Sequence, residues 1–398
     1  QNYLKYLAAL EKSQFFPAEK LTQQKITLIN TVLSAAQQTA YYPKSFDQHG
    51  VEVKEITDLS QLGALPKLTK RNIQENIDHM LVEGLNEKDL IKDRTGGSTA
   101  SPLEFYYTAD RQDWRTASAI RHNKWAGFDI GTKAAIVWGA PRDFLTQKSL
   151  KGKIYKYLTS NNIILDASAI SDETCQQFTE QLNDFKPDII QAYARTLGLY
   201  ARYLRDNNIE IPSPAAIITS AEVLTDDDRT LIESIFESKV YNRYGCREFS
   251  VLASECAYGN MHINDECFHL EFVRSDGSPC EYGEEGEILV TDLLNTAMPM
   301  IRYQIGDTGI LLDTKCPCGR NLSVMKIETG RITDFLHTPT GKKVSGVAIA
   351  TFIITNIDGI GQVQFHQKEK HSVEIKLVKN DKFNEQTLGS LEENTRHW

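Results

Sequence analysis

Five places along the chain gather residues that could do chemistry. The first is Arg94-Thr95-Gly96-Gly97-Ser98-Thr99-Ala100-Ser101-Pro102, in which two glycines and four hydroxyl side chains precede a proline. Glycines let successive backbone N–H groups point one way and let a ligand come close, and hydroxyls add donors. That donor set suits the phosphates of a nucleotide. A Walker loop is excluded, because the G-x-x-x-x-G-K-[ST] spacing is absent and no lysine-bearing helix comes after it. Taken alone, the stretch reads equally well as a polar surface turn.

The second place is Tyr244-Gly245-Cys246-Arg247-Glu248, directly after the strand-like Val240-Tyr241-Asn242. A carboxylate at a strand end in an open α/β sheet can hold a magnesium ion on a phosphate. The alternative is a solvated glutamate. In the third, Pro299 to Gly309, Asp307 stands beside a glycine turn and could accept both hydroxyls of a ribose, or simply form the turn. The fourth is Gly330-Arg331-Ile332-Thr333-Asp334, where composition changes. Arg331 there could reach a ribose or phosphate, or make a linker salt bridge.

The fifth is a cysteine and histidine set, Cys256-x5-His262 with Cys316-Pro317-Cys318. Three thiolates and one imidazole fit a tetrahedral structural zinc ion. The spacings differ from those of standard zinc fingers, and Cys267 and Cys280 compete as ligands. The alternative is a group of unrelated buried thiols. Two thiols on one tight Cys-Pro-Cys-Gly turn rarely both pack as hydrophobes, which favours the metal. Such a site would staple a loop and leave no open position for catalysis. No Ser-His-Asp or Cys-His pair can be argued from spacing, and Ser98 is not a nucleophile elbow, since the Gly-x-Ser-x-Gly pattern is incomplete.

The elements that must position these residues can be read from periodicity. Residues 1 to about 40 carry Leu4, Leu7, Ala8, Leu28, Val32, Leu33 and Ala36 at helical spacing, which predicts two helices. Pro43 and Gly50 punctuate the next stretch, and short helices are expected around the Leu65-Pro66 turn. Asp89–Asp93 and Leu103–Thr108 read as strands on either side of the glycine-rich loop. Helices are expected over Asp110–Ala126, Leu197–Arg205 and from a Thr225 cap to Phe236, the last with Asp226, Asp227 and Asp228 suiting its N-terminal dipole. Short apolar strands are expected at Ala134–Gly139, Asp188–Ala192, Ala215–Thr219 and Val240–Asn242. This alternation predicts α/β layers on a largely parallel sheet. From about residue 268 strands dominate, at His269–Val273, Gly286–Thr291 and Thr308–Leu312. After about 334 the chain reads as a small α+β unit with a hairpin at Gln362–His366 and Ser372–Leu377.

Composition narrows the function. The 398 residues suggest two or three domains, and 41% hydrophobic content supplies a core. The net charge of −9 does not suggest a nucleic-acid or anionic-membrane partner. No apolar run approaches the roughly 18–20 residues of a membrane-spanning helix, and the N-terminus has no signal-peptide pattern. Seven cysteines, six of them between 246 and 318, argue against a disulfide framework and for a reducing, cytoplasmic setting. The start at Gln1 and the end at Trp398 suggest part of a longer gene product.

In this order, these stretches resemble the adenylate-forming (acyl-CoA synthetase-like) superfamily, in particular phenylacetate–coenzyme A ligases, over nearly the whole chain. Leu65-Pro66-Lys67-Leu68-Thr69-Lys70 is similar to that group's approach to the phosphate loop, and Thr95, Gly96, Gly97, Ser98 and Thr99 to the loop itself. Ser220-Ala221-Glu222 and Asn242-Arg243-Tyr244-Gly245 resemble its adenine pocket, with Tyr244 as the stacking ring. The resemblance implies that Glu248 is the magnesium-associated glutamate, Asp307 the ribose aspartate, Arg331 the ribose arginine and Asp334 the hinge. It also supports zinc at the Cys256, His262, Cys316 and Cys318 set. The implied fold is α/β: an N-terminal domain over 1–331, β-rich with the zinc loop at 268–331, and a small mobile, incomplete α+β domain at 332–398.

The implied reaction is adenylation of a carboxylic acid by ATP with Mg2+, then transfer to the thiol of coenzyme A, as the small domain rotates between the two halves. The implied acyl pocket lies near Trp125, Phe128, Trp138, Gly139 and Ala221. Those aromatics favour an aryl or arylacetic acid, unless they are core. A homodimer is a further expectation of the resemblance. Three departures stand out: Ala100 and Leu103 replace a usual glycine and lysine, Arg247 replaces a frequent threonine, and no lysine among Lys342, Lys343, Lys368, Lys370, Lys376, Lys379 and Lys382 has the family's catalytic context. The rival expectation is a nucleotide-binding relative that uses a carrier-protein or amine acceptor, or that has lost ligase activity.

Overall fold

The structure, a computed structural model, describes residues 2–95, 102–138, 161–166, 169–329, 335–338, 343–345, 357, 359–369, 372–380 and 382–396. The chain forms two compact units. The first takes Gln1–Arg94, Leu103–Ala126 and Asn242–Gly330, and the second Thr95–Pro102, Gly127–Tyr241 and Arg331–Trp398.

The first unit opens with helices α1 (Tyr3–Ser13), α2 (Ala18–Ala36) and α3 (Tyr41–Gln48). Pro43, expected with Gly50 to punctuate this stretch, lies inside a short helix. It stands in the first turn of α3, where a missing N–H costs nothing. The turn around Leu65-Pro66 is bracketed by a 3-10 turn at Leu59–Ala64 and by α4 (Lys70–Asn76), each started by a capping box, from Asp58 and Thr69. Strands β1 (Leu90–Arg94) and β2 (Glu104–Thr108) pair antiparallel with Arg94 opposite Glu104. The expected strands therefore do flank the glycine-rich stretch. Helix α5 (Ala109–Trp125) begins at a Thr108 cap that accepts from the Arg111 N–H.

The rest of this unit is antiparallel. From residue 242, β8 (Val240–Cys246) pairs with β9 (Ser250–Glu255), and next to it come β10 (Met261–Ile263) and β14 (Val324–Thr329). Beyond β14 lie β13 (Tyr303–Leu312), β12 (Glu285–Asp292) and β11 (Phe268–Val273). Leu10, Ile29, Leu62, Leu68, Ile73 and Leu252 from the helices, turns and sheet share one buried core.

The second unit holds the parallel sheet, in the order β7 (Ala216–Ser220), β6 (Ile189–Tyr193), β3 (Ala134–Trp138) and β4 (Asn162–Asp166). Its near-continuous apolar strands fit burial on both faces. Helices α6 (Asp172–Phe185), α7 (Ala194–Asp206) and α8 (Asp226–Phe236) cover it through Phe178, Tyr200, Leu204, Ile232 and Phe236. Thr225 caps α8 through the Asp228 N–H, as expected. A short β5 (Ala169–Ile170) pairs with β16 (Lys343–Ser345), which pairs with β15 (Phe335–His337). The expected hairpin is β17 (Ile360–Glu369) with β18 (Ser372–Lys379), and α9 (Glu385–Arg396) packs Leu391 against its Ile360 and Val363. No helix among the described residues is long and apolar enough to cross a membrane.

Candidate functional site

The strongest cluster lies in the first unit. Cys256 directly follows β9, His262 lies on β10, and Cys316 and Cys318 share the turn between β13 and β14. Their ligand atoms all lie within 4.8 Å of one another. The Cys256 and Cys316 sulfurs are 3.5 Å apart, and the Cys318 sulfur is 3.3 Å from His262 Nε2. Zinc bonds of about 2.3 Å to sulfur and about 2.0 Å to nitrogen imply tetrahedral edges of about 3.5–3.8 Å, so the donor set fits that ion with little movement. His262 Nδ1 lies 3.2 Å from the Leu322 carbonyl, an arrangement that leaves Nε2 as the ligating nitrogen. The Tyr258 N–H and the Asn260 amide donate to Cys256 and Cys316 sulfur, the usual support of thiolates. Burial pushes the Cys256 thiol up to about 11 and holds the His262 imidazole below its usual value. A bound cation reverses the thiol's preference, because a coordinating thiol is deprotonated. The competitors stand elsewhere: Cys267 contacts Ser118, and Cys280 contacts the Glu285 carbonyl.

Trp125, expected near the acyl group, packs beside this cluster. Its ring lies edge-on to His262 at 5.8 Å and to His122 at 4.3 Å, with the Arg320 guanidinium 4.4 Å from its centroid. Its indole N–H donates to Gln14, which also accepts from Arg320. One face of this ring is thereby spent on the turn that carries Cys316 and Cys318.

The β8–β9 hairpin carries most of the other first-unit candidates. Tyr244 donates its hydroxyl to Asp307 Oδ2 at 2.9 Å, joining the expected adenine ring to the expected ribose carboxylate. Asp307 comes directly after Gly306, whose φ of +86° falls where the pairing of β13 with β12 shifts register. The Asn242 N–H donates to buried Glu255, and Arg243 donates to Asn123. Burial lowers the Arg243 guanidinium to about 10. Glu248 sits half-buried in the turn, beside the Cys246 thiol that burial, and then Glu248 itself, pushes up. The register shifts between Tyr244 and Gly245. A Cβ on Gly245 would stand 2.0 Å from the Ser250 carbonyl oxygen, so only glycine fits.

In the second unit, candidates collect at the carboxyl ends of the parallel strands, where open α/β sheets bind ligands. Trp138 ends β3, Tyr193 ends β6 and Ser220 ends β7, with Tyr193 in register with Ser220. The Trp138 and Tyr193 rings lie 4.4 Å apart. Tyr193 was not singled out from the sequence. Its place at a strand end was the available signal. Ala221 holds a φ of +67°, uncommon for a residue with a Cβ. The Glu222 carboxylate, expected near adenine, accepts the Arg195 N–H at 3.0 Å. It thus serves as a cap in trans for α7, whose own N-cap, Tyr193, makes no side-chain bond. Burial pushes its carboxyl up to about 7, while the Arg195 and Thr196 N–H groups oppose the rise.

Thr95 is described and half-buried. Gly96, Gly97, Ser98, Thr99, Gly139, Arg331 and Asp334 lie outside the described residues.

No family model matches the chain. Protein CapK of Staphylococcus aureus is 29% identical over 344 residues, spanning 85% of this chain and 74% of that protein. Phenylacetate-coenzyme A ligase of Aromatoleum evansii is 25% identical over 335 residues, 80% of this chain and 73% of the relative. The solved structure of 2-hydroxyisobutyryl-CoA ligase with 2-HIB-AMP and CoA, in the thioesterification state, matches with a TM-score of 0.65 over 96% of this chain and 84% of that one, at 15% identity. The fold is that of adenylate-forming CoA ligases. In sequence, the chain is similar to phenylacetate–coenzyme A ligases.

Proposed function

We propose that this protein activates a carboxylic acid with ATP to an acyl-adenylate and then transfers the acyl group to the thiol of coenzyme A. The observation that carries this reading is the 2.9 Å bond from Tyr244, on the hairpin that also bears Glu248, to Asp307 on β13. It ties an aromatic ring able to stack on adenine to a carboxylate able to accept both ribose hydroxyls. The similarity to phenylacetate–coenzyme A ligases supports the same reading.

In the first half-reaction, a carboxylate oxygen of the acid bonds to the α-phosphorus of ATP and the bond to pyrophosphate breaks. Charge develops on phosphate oxygens, so the protein's part is positioning and electrostatic stabilisation. Thr95, Gly96, Gly97, Ser98 and Thr99 supply N–H and hydroxyl donors to the phosphates. The resemblance assigns Ser220 and Ala221, and likewise Asn242, Arg243 and Tyr244, to recognition of the base, and Asp307 and Arg331 to the ribose. Glu248 is the carboxylate for Mg2+, which neutralises the phosphate charge when bound. In the second half-reaction, the coenzyme A thiol sulfur bonds to the acyl carbon and AMP leaves.

Trp138 and Tyr193, whose rings lie 4.4 Å apart at a tilt of 48° at the carboxyl ends of adjacent strands, favour an aryl or arylacetic acid. Residues 332–398 are the part of the small domain that turns between the half-reactions. The Cys256, His262, Cys316 and Cys318 set holds zinc as a staple between β10 and the β13–β14 turn.

The test is pyrophosphate release from ATP and Mg2+ across a panel of aryl, arylacetic and short aliphatic acids, with thioester formation measured on adding coenzyme A. The expected result is acid-dependent pyrophosphate, largest with an aryl or arylacetic acid, and an acyl-CoA product. Binding of ATP with no release for any acid would favour a non-catalysing nucleotide binder. Release with no thioester would point to a carrier-protein or amine acceptor.

A further inference from the structure

We propose that Arg115 is a positioning residue, which pins the β8–β9 turn from α5 and thereby sets where the Glu248 carboxylate stands. The inference rests on the reading of Glu248 as the carboxylate for magnesium.

Arg115 Nη2 donates to the Arg247 carbonyl at 2.7 Å, and Nη1 donates to the Glu248 carbonyl at 2.8 Å. Two nitrogens of one planar guanidinium on two consecutive carbonyls fix the orientation of both peptide planes as well as their distance. The guanidinium also lies 4.8 Å from the Tyr107 ring centroid, and Tyr107 is buried, so the side chain is held from its face as well. The helix beneath it is tied down by buried ion pairs on either side of Arg115. One turn earlier, buried Arg111 pairs with buried Asp292 at 3.0 Å, and further along, Arg121 pairs with Glu266. The clamp therefore stands on an anchored support.

The turn it grips is under strain. Ser250, where β9 begins, has a φ of +70°, in the left-handed region that L side chains avoid. Gly245 abuts the Ser250 carbonyl so closely that no Cβ fits. Backbone in such a state persists only where its surroundings over-determine it. Arg115 supplies that constraint for residues 247 and 248. Both of its terminal nitrogens donate to carbonyls of the turn, so its effect on the chemistry of Glu248 runs through the backbone that carries that residue. Lysine cannot replace it, because a single ammonium does not hold two carbonyls in a set plane.

The test compares wild type, R115M and R115K in ATP–pyrophosphate exchange across Mg2+ concentration, together with hydrogen exchange of the amides at 246–250. For R115M, kcat should fall roughly 10- to 100-fold, the size expected for misplacement by about 1 Å. The acid KM should stay within about twofold, the Mg2+ half-saturation point should rise, and the 246–250 amides should exchange faster while those of β11 and β12 do not. R115K should move in the same direction as R115M, with a smaller loss. If R115M does not fold, R115K decides by the same criteria. An active wild type with unchanged Mg2+ dependence and unchanged exchange in both variants overturns the positioning role. A wild type that makes no pyrophosphate with any acid overturns the reading of Glu248 itself, and faster exchange at 246–250 in R115M would then leave Arg115 as a purely structural clamp.

Discussion

Replacing Glu222 by glutamine should change how stability depends on pH, and the structure gives both sign and size. The carboxyl ionises near 4.5 in an unfolded chain and at about 7 in the folded one, because burial disfavours the charge more than two N–H groups at α7 favour it. Between those values the folded chain holds the proton more tightly, so stability falls as pH rises through that window and levels off above it. At about 1.4 kcal/mol per pH unit, the loss approaches about 3 kcal/mol. Glutamine keeps an oxygen for the Arg195 N–H but cannot ionise. Urea unfolding of wild type and E222Q at pH 5 and pH 8 should therefore show a difference between the two proteins that moves by about 2–4 kcal/mol in favour of E222Q at the higher pH. Equal slopes for the two proteins would refute the argument, since they would mean that Glu222 ionises alike in both states.

Two further outcomes concern the first unit. Thiol modification of the purified protein should release one zinc ion per chain, read with a chromogenic chelator, and C318S should release none and melt at a lower temperature. Wild-type protein grown with zinc and releasing none would rule out the staple. Separately, R111M leaves Asp292 charged and buried, still accepting the Leu294 and Asn295 N–H groups but without its cation, and should cost about 3–5 kcal/mol in urea unfolding. A cost below about 1 kcal/mol would show the pair to be solvated.

Much of this protein can be read along the chain where structure depends on near neighbours. Thr225 and the three aspartates after it announce the start of α8, because cap and dipole chemistry act within one turn. Alternation at Leu103–Thr108 and apolar runs at Ala134 and Ala215 yield β2, β3 and β7. Other local signals are less distinctive. The Ser171 and Thr174 capping box starts α6, and Pro43 fits a first helical turn as well as a break. The residues of strands β9, β10 and β14 carry no marked alternation. They become strands because neighbours hydrogen-bond to them.

The candidate residues divide in the same way. Residue type and spacing make Cys256, His262, Cys316 and Cys318 candidate ligands and Asp307 and Glu248 candidate carboxylates, and the family resemblance adds Tyr244 as the expected stacking ring. Ligand chemistry allows few other uses for three thiols and an imidazole. Which groups meet was decided by tertiary structure. Glu222 turns to the N-terminus of α7, Trp125 lies against Arg320 and His262, and Arg115 reaches the carbonyls of Arg247 and Glu248. Each of these pairings joins residues 27 or more positions apart. Local propensity and spacing say nothing at such separations, because only the packing of helices onto sheets sets which distant groups come within hydrogen-bond reach.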